Sequence, residues 1–347
     1  MRAPDHSVLA EGLHKRYGDN KALDGFDLAV PRGTVYGLLG PNGAGKTTAI
    51  RILSTLIRLD RGRATVGGFD VAAEPRQVRR RIGLTGQSAA VDEILTARQN
   101  LEMFGRLFHL TGARAKSRAG ELLAQFGLTE VADKQPRTFS GGMRRRLDLA
   151  SSMLLAPDVL FLDEPTTGLD PRGRMEVWEA VRTLAAGGTT VLLTTHYLDE
   201  ADQLSDRIAL IDNGRNITED TPAGLKRAIG GDRIEVVVQD AADLPAAVRT
   251  VSRVADGAAP RTDEAELRVH APVTDRVAAL TEVARTLQDE GITVQDIGLR
   301  RPTLDEVFLR LTGRPAGSGD GTGGSTGEDS PRAQPADDPT ALEGTTR

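Results

Sequence analysis

The chain has 347 residues, of which 39% are hydrophobic and 27% are charged. This composition supplies enough apolar material for a buried core and excludes a wholly disordered chain. The sequence contains no cysteine, which excludes disulfide bonds and thiolate metal sites. The formal net charge of −5 excludes a basic surface over the whole chain, so we expect no nucleic-acid partner.

The first six residues are polar and do not lead into the apolar segment of a signal peptide. The sequence also has no run of about 18 apolar residues, the length needed to span a bilayer. We therefore expect a soluble chain that resides in the cytoplasm.

Between residues 7 and 229, short apolar runs alternate with helical patterns. Three of these runs lack polar alternation, which predicts strands buried on both faces, as in a parallel sheet covered by helices. The runs are Thr34–Leu39, Val159–Leu162 and Thr190–Thr194. The pattern predicts an α/β domain over residues 1–229.

Two segments of this domain depart from the alternating pattern. The start of the chain, from Val8–Ala10 to Leu28, favours an antiparallel edge. Residues 96–137 show helical periodicity alone, with a recurring stripe of Leu101, Phe104, Leu107 and Phe108. The sequence therefore predicts a helical insert over about residues 96–137.

A second unit follows over residues 230–313, where strand and helix patterns alternate and predict a small C-terminal α+β domain. Residues 314–347 are rich in Gly, Pro, Asp and Ser and predict a disordered tail. The strand candidates are Arg233–Gln239, Glu266–His270 and Thr293–Leu299, and the helix candidates are Ala241–Val254, Val273–Gln288 and Thr303–Leu311.

The segment Gly40–Thr47 has the pattern of a phosphate-binding loop placed between a strand and a helix. Its glycines let backbone N–H groups point at phosphates, and the start of the following helix favours anions. Lys46 supplies a charge for the β- and γ-phosphates, and the Thr47 hydroxyl is a candidate Mg²⁺ ligand. The loop predicts an NTPase without saying which kind. The candidate nucleotide-binding residues are Gly40, Asn42, Gly43, Ala44, Gly45, Lys46, Thr47 and Thr48.

Two carboxylates stand at the end of the apolar run Val159–Leu162. Such a buried run holds Asp163 at the carboxyl end of the sheet, where it can orient Mg²⁺. Glu164 follows directly and can polarise an attacking water. The pair predicts a metal ligand and a catalytic base, although an isolated Asp-Glu pair is equally often an acidic turn.

A second anion-binding helix start is predicted at Ser140, Gly141 and Gly142. A hydroxyl, unobstructed backbone N–H groups and a helix dipole would all point the same way there. One nucleotide does not need two such helix starts in one domain. The second start makes sense if it acts on a nucleotide held by another copy of the chain.

Together these segments resemble the ATP-binding cassette (ABC) family over about residues 7–229. Phe139–Met143 is similar to the family's signature motif, usually LSGGQ, with Met143 in place of glutamine. The resemblance implies that the nucleotide is ATP, bound with Mg²⁺ between two head-to-tail copies of the chain. Each copy would then close Ser140–Gly142 on the nucleotide of the other.

The resemblance also implies roles for four residues that motif chemistry alone does not single out. Tyr17 matches the aromatic residue that stacks on adenine, and Gln87 matches the glutamine that completes the Mg²⁺ environment. Asp170 falls in the D-loop, and His196 matches the switch histidine that steadies the γ-phosphate and the water. Each of them alone also suits an ordinary structural role, so the order of the motifs carries the resemblance.

Three further segments, Ser140–Asp148, Asp92–Leu101 and Pro302–Leu309, resemble the daunorubicin/doxorubicin-resistance branch of drug-export ABC ATPases. This branch implies an ATP-hydrolysing subunit on the cytoplasmic face of the membrane that drives efflux of hydrophobic drugs. The implied partner is a separate transmembrane permease. The stripe of Leu304, Val307, Phe308 and Leu311 equally suits a packed terminal helix.

Three alternative functions remain to be weighed. An exporter of lipid or polysaccharide is open, because the permease chooses most of the cargo. A soluble ABC ATPase that acts on nucleic acid or ribosomes is disfavoured by the short separation of Lys46 and Ser140 and by the lone phosphate loop. A non-catalytic binder is disfavoured because both Glu164 and His196 are present.

Overall fold

The computed structural model describes residues 6–86, 90–257 and 259–313, so Gln87 and the predicted tail at 314–347 lie outside the described residues. The strands in these residues are β1 (His6–Tyr17), β2 (Asn20–Pro31), β3 (Val35–Leu39), β4 (Arg61–Val66), β5 (Phe69–Asp70), β6 (Ile82–Thr85), β7 (Val159–Asp163), β8 (Thr190–Thr195), β9 (Arg207–Asp212), β10 (Arg215–Asp220), β11 (Arg233–Val238), β12 (Arg261–Asp263), β13 (Arg268–Pro272) and β14 (Val294–Arg300).

The helices of the described residues are α1 (Lys46–Leu53), α2 (Pro75–Arg81), α3 (Ala97–Leu107), α4 (Gly112–Gln125), α5 (Gly141–Ser152), α6 (Pro171–Ala186), α7 (Leu198–Leu204), α8 (Pro222–Ile229), α9 (Leu244–Val254), α10 (Arg276–Asp289) and α11 (Leu304–Thr312). Within this part of the chain, every helix falls short of the length and apolarity required to cross a membrane.

A six-stranded sheet forms the centre, in the order β10-β9-β3-β8-β7-β6. Strands β9, β3, β8, β7 and β6 run parallel, and β10 pairs antiparallel with β9 at one edge. Every residue of β3, β7 and β8 is buried. The predicted parallel sheet is therefore confirmed, and the carboxyl ends of these three strands lie side by side at one edge of the sheet.

The antiparallel strands predicted at the start of the chain are also confirmed, and they form a sheet of their own in the order β2-β1-β4-β5. Its apolar face shares one core with α1 and the central sheet. Leu13 and Phe26 belong to that core together with Ile50 of α1 and Phe161 of β7. Helix α1 is thus fixed between the two sheets.

The insert between β6 and β7 is helical, and its core joins the other face of the central sheet. Leu101 of α3 and Leu122 of α4 are buried together with Leu160 of β7. The stripe predicted on α3 divides, because Leu101 is buried whereas Leu107 and Phe108 are 63% and 47% exposed. Core packing accounts for one part of the stripe and leaves the other part at the surface.

Residues from β11 to β14 form an antiparallel sheet in the order β12-β13-β11-β14, covered by α9 and α10. The succession strand–helix–strand–strand–helix–strand with this order is a split βαβ arrangement. β12 was not predicted, because its three residues are all exposed and carry no apolar alternation. The apolar core of this unit consists of residues between Ile234 and Leu299.

Helix α11 leaves this unit and packs against the first part of the chain. Its Leu304, Val307 and Phe308 are buried in a cluster with Leu198 of α7 and Leu225 of α8. Polar contacts hold α11 to both parts of the chain, through Arg233 of β11 and through the Ile229 carbonyl at the end of α8. Glu306 accepts two hydrogen bonds of 2.6 Å from Arg233, and Arg310 donates to the Ile229 carbonyl at 2.5 Å.

The packing of α11 predicts a large difference between two apolar positions on the same helix. Phe308→Ala removes a side chain that is 3% exposed and should destabilise the helix by about 3–5 kcal/mol through the cavity it leaves. Leu311→Ala, at a position that is 42% exposed, should cost less than about 1 kcal/mol. Urea unfolding and hydrogen exchange of residues 304–312 measure both. Equal losses for the two variants would contradict the packing described here.

Candidate nucleotide site

The loop between β3 and α1 takes a shape that requires glycine. Gly43 and Gly45 have φ values of 82° and 110°, in the left-handed region that favours glycine. A Cβ on Gly45 would lie 2.4 Å from the Ala22 carbonyl oxygen, and one on Gly40 would lie 2.3 Å from the Ile211 carbonyl oxygen. The loop therefore passes between neighbouring backbone segments at a distance that no side chain allows.

Lys46 is the first residue of α1 and is almost completely buried. Its Nζ donates to the carbonyl oxygens of Gly40 at 2.6 Å and Pro41 at 3.0 Å. Burial lowers the pKa of Lys46, and the negative charges of Glu164 and Asp163 oppose this effect. The ammonium group is thus held inside the loop, close to both acids.

A cavity of about 320 Å³ lies over this loop. Tyr17, at the end of β1, lines one side of it and is 46% exposed, and Glu164 lines it as well. The structure thereby brings together the predicted aromatic residue, phosphate loop and catalytic acid. Gly40 lies at the base of the loop, next to Ile211. The other lining residues are Asn20, Ala22, Asn42, Gly43, Ala44, Gly45, Lys46, Thr47 and Thr48.

Asp163 is buried at the end of β7, and one of its carboxylate oxygens accepts hydrogen bonds from two hydroxyl groups. Thr47 Oγ1 donates to its Oδ1 at 3.3 Å, and Thr194 Oγ1 donates to the same oxygen at 2.6 Å. Carboxylate and hydroxyl oxygens are the hard ligands that Mg²⁺ prefers. The donor set formed by Thr47 and Asp163 therefore fits this ion.

Glu164 follows Asp163 in an uncommon backbone conformation, with φ of 51°. Its N–H group contacts Thr194, whose carbonyl oxygen lies 3.0 Å away and whose Oγ1 lies 3.2 Å away. Its side chain accepts a hydrogen bond of 3.2 Å from Thr167 Oγ1. His196 Nδ1 lies 3.2 Å from Glu164 Oε1, without the alignment of a hydrogen bond. The acid and the histidine thus form a close pair at the edge of the cavity.

The predicted signature and D-loop residues begin two helices that touch each other. Ser140 caps α5 by accepting from the Met143 N–H at 3.2 Å. Asp170 caps α6 by accepting from the Gly173 N–H at 2.9 Å. A Cβ on Gly142 would lie 3.0 Å from Gly173 Cα. Among the described residues, neither the signature glycines nor Asp170 line the cavity of their own chain.

Sequence reasoning missed several residues around the site. Asn20 and Ala22 line the cavity but lie on an antiparallel strand with no motif of its own. The sequence predicts Thr194 only as a strand residue. A hydroxyl group close to the carboxyl end of a parallel strand is nevertheless a signal for a site residue. Arg145 and Glu200 are buried charged residues close to the site, and nothing in their residue types distinguishes them from surface residues.

Glu200 on α7 is a completely buried carboxyl group. Its Oε1 accepts from Trp178 Nε1 at 3.2 Å, and Oε2 has no hydrogen-bond partner among the described residues. Burial raises the pKa of Glu200, while hydrogen bonds and the positive charge of Arg145 act in the opposite direction.

Comparison with known proteins identifies relatives along nearly the whole chain. The ABC transporter family model matches residues 23–167, and that of the C-terminal domain of DrrA1-3-like ATP-binding proteins matches residues 221–312. The daunorubicin resistance ATP-binding protein DrrA2 of Streptomyces coeruleorubidus is 72% identical over 89% of this chain and 95% of its own length. The daunorubicin/doxorubicin resistance ATP-binding protein DrrA of Streptomyces peucetius is 51% identical over 90% of this chain and 94% of its own length.

A solved structure supports the same assignment of the fold. It is a dimeric ATP-binding cassette in a post-hydrolysis state with bound ADP and Pi, at 25% identity and a TM-score of 0.56. The match covers 62% of this chain and 98% of the solved chain.

The burial of Lys46 within the loop predicts a loss of nucleotide binding when its charge is removed. Lys46→Ala should bind MgATP at least about tenfold more weakly, since one charged contact to phosphate is worth about 1.5–3 kcal/mol. Lys116→Ala, which removes an exposed lysine of α4, is the matched control and should bind normally. Fluorescence titration with a labelled ATP measures both. Unchanged affinity in Lys46→Ala would remove the phosphate loop from the site.

The buried carboxyl of Glu200 predicts a pH-dependent difference in stability. Because its pKa is raised in the folded chain, the unfolded chain ionises first and folding stability falls as pH rises above the ordinary carboxyl range. Glu200→Gln removes this loss, so the Tm of the variant should rise relative to that of the parent between pH 5 and pH 8. Thermal unfolding at both pH values measures the difference. A parent chain that gains stability relative to the variant over this interval would contradict the raised pKa.

Proposed function

Because this chain belongs to the ABC transporter ATP-binding proteins of the daunorubicin-resistance (DrrA) type, we propose that it drives efflux of hydrophobic drugs or antibiotics through a separate membrane permease. Members of this family are ATPases. The observation that carries the proposal is the cavity in which Lys46, Thr47 and Glu164 meet, in a chain that matches 95% of the length of a daunorubicin resistance ATP-binding protein.

The cavity suits ATP with its adenine at Tyr17 and its phosphates over the loop. Tyr17 offers a half-exposed ring on which a base can stack. The backbone N–H groups of the loop and the start of α1 favour the phosphates. The ammonium group of Lys46, now on the Gly40 and Pro41 carbonyls, lies within reach of the β- and γ-phosphates.

Thr47 and Asp163 are the described residues that would hold Mg²⁺, with Gln87 added by the family resemblance. When bound, the ion neutralises charge on the β- and γ-phosphate oxygens. Asp163 keeps its position because Thr194 Oγ1 donates to it at 2.6 Å.

Hydrolysis requires a water that attacks the γ-phosphorus while the bond to the β–γ bridging oxygen breaks. Glu164 lines the cavity and is placed to accept the proton that this water loses. His196 lies 3.2 Å from Glu164 and is placed to steady the water and the γ-phosphate. The proton ends on Glu164 or on the released phosphate, so the reaction yields ADP and inorganic phosphate.

A second copy of the chain completes the site in this proposal. The start of α5 does not line the cavity of its own chain among the described residues. Gly141 has no Cβ to cover its N–H group, and it is exposed, so it can meet an anion from outside. We infer that Ser140–Gly142 of one copy close on the γ-phosphate held by the other, and that ATP joins the two copies until it is hydrolysed.

The exposed apolar residues of the insert suit contact with the permease on the cytoplasmic face of the membrane. Leu107 and Phe108, at the end of α3, are 63% and 47% exposed, and Ile94, just before the insert, is 75% exposed. Leu101 of α3 is buried. Apolar side chains grouped at the surface often mark a protein interface. The C-terminal unit of residues 230–313 has a regulatory or dimerisation role in this proposal, since α11 connects it to α7 next to His196.

The identity of the exported compound is the most specific part of the proposal. The names of the two Streptomyces relatives favour a drug of the daunorubicin type over a lipid or polysaccharide. Stimulation of ATPase activity by candidate compounds, measured with the co-purified permease, discriminates between these cargoes.

The role of Glu164 predicts the behaviour of Glu164→Gln. This variant should bind MgATP, hydrolyse it at least about 100-fold more slowly and accumulate as a dimer, since a positioned base contributes about 10²–10⁴ in rate. Phosphate release and size-exclusion chromatography with MgATP measure the two effects. Glu130→Gln, at an exposed position in the insert, serves as the control. Unimpaired hydrolysis by Glu164→Gln would exclude Glu164 as the base.

A further inference from the structure

A buried ion pair lies on the inner face of α5, one turn after the signature residues. Arg145 and Asp148 are 7% and 5% exposed, and Arg145 Nη1 lies 3.3 Å from Asp148 Oδ2. The flanking Arg144 and Arg146 are more exposed, at 40% and 16%. The structure therefore selects one arginine from a run of three and places it inside the domain.

Arg145 holds the backbone on both sides of Glu164. Its Nε donates to the Pro165 carbonyl oxygen at 2.8 Å, and its Nη2 approaches the Asp163 carbonyl oxygen at 3.5 Å. Its Nη1 donates to the Gly86 carbonyl oxygen at the end of β6, at 2.6 Å. One guanidinium group thus connects the signature helix to the ends of two strands of the central sheet.

Glu164 needs such support because its backbone is in the left-handed region, with φ of 51°. A residue with a side chain keeps this conformation only where its surroundings enforce it. Thr194 fixes the Glu164 N–H group from the side of β8. Arg145 fixes the two neighbouring carbonyl groups from the side of α5, so the peptide units around Glu164 are held from two directions.

Stability alone gives a weak reason to bury this pair. Burial lowers the pKa of Arg145 and raises that of Asp148, which reflects the cost of removing both charges from water. Apolar residues of similar volume often serve a core as well as a buried ion pair does. The planar fork of arginine, in contrast, suits several carbonyl acceptors at once.

We propose that Arg145 is a positioning residue for Glu164, with Asp148 as its counter-charge, and that it connects the helix begun by Ser140 to the base of its own chain. The inference rests on the proposed role of Glu164 as the base. It gives the signature helix a direct mechanical connection to the acid that lines the cavity. Movement of α5 on engaging a nucleotide of the other copy would then reach Glu164 through a single side chain.

The test removes both charges together, because removing one would leave the other buried and unpaired. Arg145→Gln/Asp148→Asn keeps an acceptor for the Ala90 N–H group, which now donates to Asp148 Oδ1 at 3.0 Å. We expect kcat for ATP to fall about tenfold, since a small displacement of a catalytic group can cost up to about 10²-fold. The KM for ATP should stay within about twofold, because the phosphate loop is untouched.

The decisive comparison repeats the double substitution in the Glu164→Gln background. If Arg145 acts through Glu164, the residual rate should fall by less than about twofold there, because the two effects share one cause. Equal fold-losses in both backgrounds, or an unchanged kcat in the first, would overturn the inference and leave Glu164 as the base. A Glu164→Gln variant that hydrolyses ATP normally would overturn the proposed function and the inference together.

Arg118→Gln provides the matched control. Arg118 also holds a carboxylate three residues further on, Glu121, and a backbone carbonyl oxygen, that of Met153. It lies on α4, away from Glu164, and should leave both kcat and KM within about twofold of the parent. Circular dichroism and Tm confirm that each variant is folded; a loss of kcat by Arg118→Gln as large as that of the double variant would overturn the specific role of Arg145.

Discussion

The parallel pairing of β3, β8 and β7 is the constraint on which the site depends. Leu39 pairs with Thr195, and Asp163 pairs with Thr194. The residues that follow these pairs, Gly40, His196 and Glu164, must therefore leave the sheet within one residue of the same level. A phosphate loop meets a proposed metal ligand, an acid and a histidine because the ladder ends there, although the loop precedes the other three by more than a hundred residues in sequence. Gly43, Gly45 and Glu164, all with positive φ, then form the turns by which the chain leaves the sheet.

Much of this arrangement could be predicted from the sequence, because it follows from local chemistry. Unalternating apolar runs predicted the parallel strands, and the glycine spacing predicted the loop. Tyr17 could be identified only from the order of the family's motifs along the chain, because a tyrosine at a strand end has no chemistry specific to adenine. The sharing of one core by the antiparallel and central sheets depends on how two faces pack, which a one-dimensional pattern does not encode.

The buried charges were beyond sequence reasoning for a related physical reason. Arg144, Arg145 and Arg146 are chemically identical, and only the rotation of α5 against the sheet decides which of them loses water. Glu200 follows Asp199 on the short helix α7 and has the residue type of a solvent-facing acid. In both cases tertiary packing sets the environment and overrides what residue type suggests. The same packing separates buried Leu101 from exposed Leu107 on a helix whose apolar spacing treats them alike.

The return of α11 to α7 and α8 makes the order of the chain a poor guide to where the protein can be cut. A chain that stopped after α8 would leave Leu198, Leu225 and their neighbours without the apolar cover that Leu304, Val307 and Phe308 supply. Such a fragment would expose an apolar surface and tend to self-associate. The smallest soluble ATPase fragment is therefore discontinuous in sequence, because residues up to α8 need α11 even when the split βαβ unit between α8 and α11 is removed. A short linker from Ile229 to Thr303 would preserve this fragment better than truncation after α8.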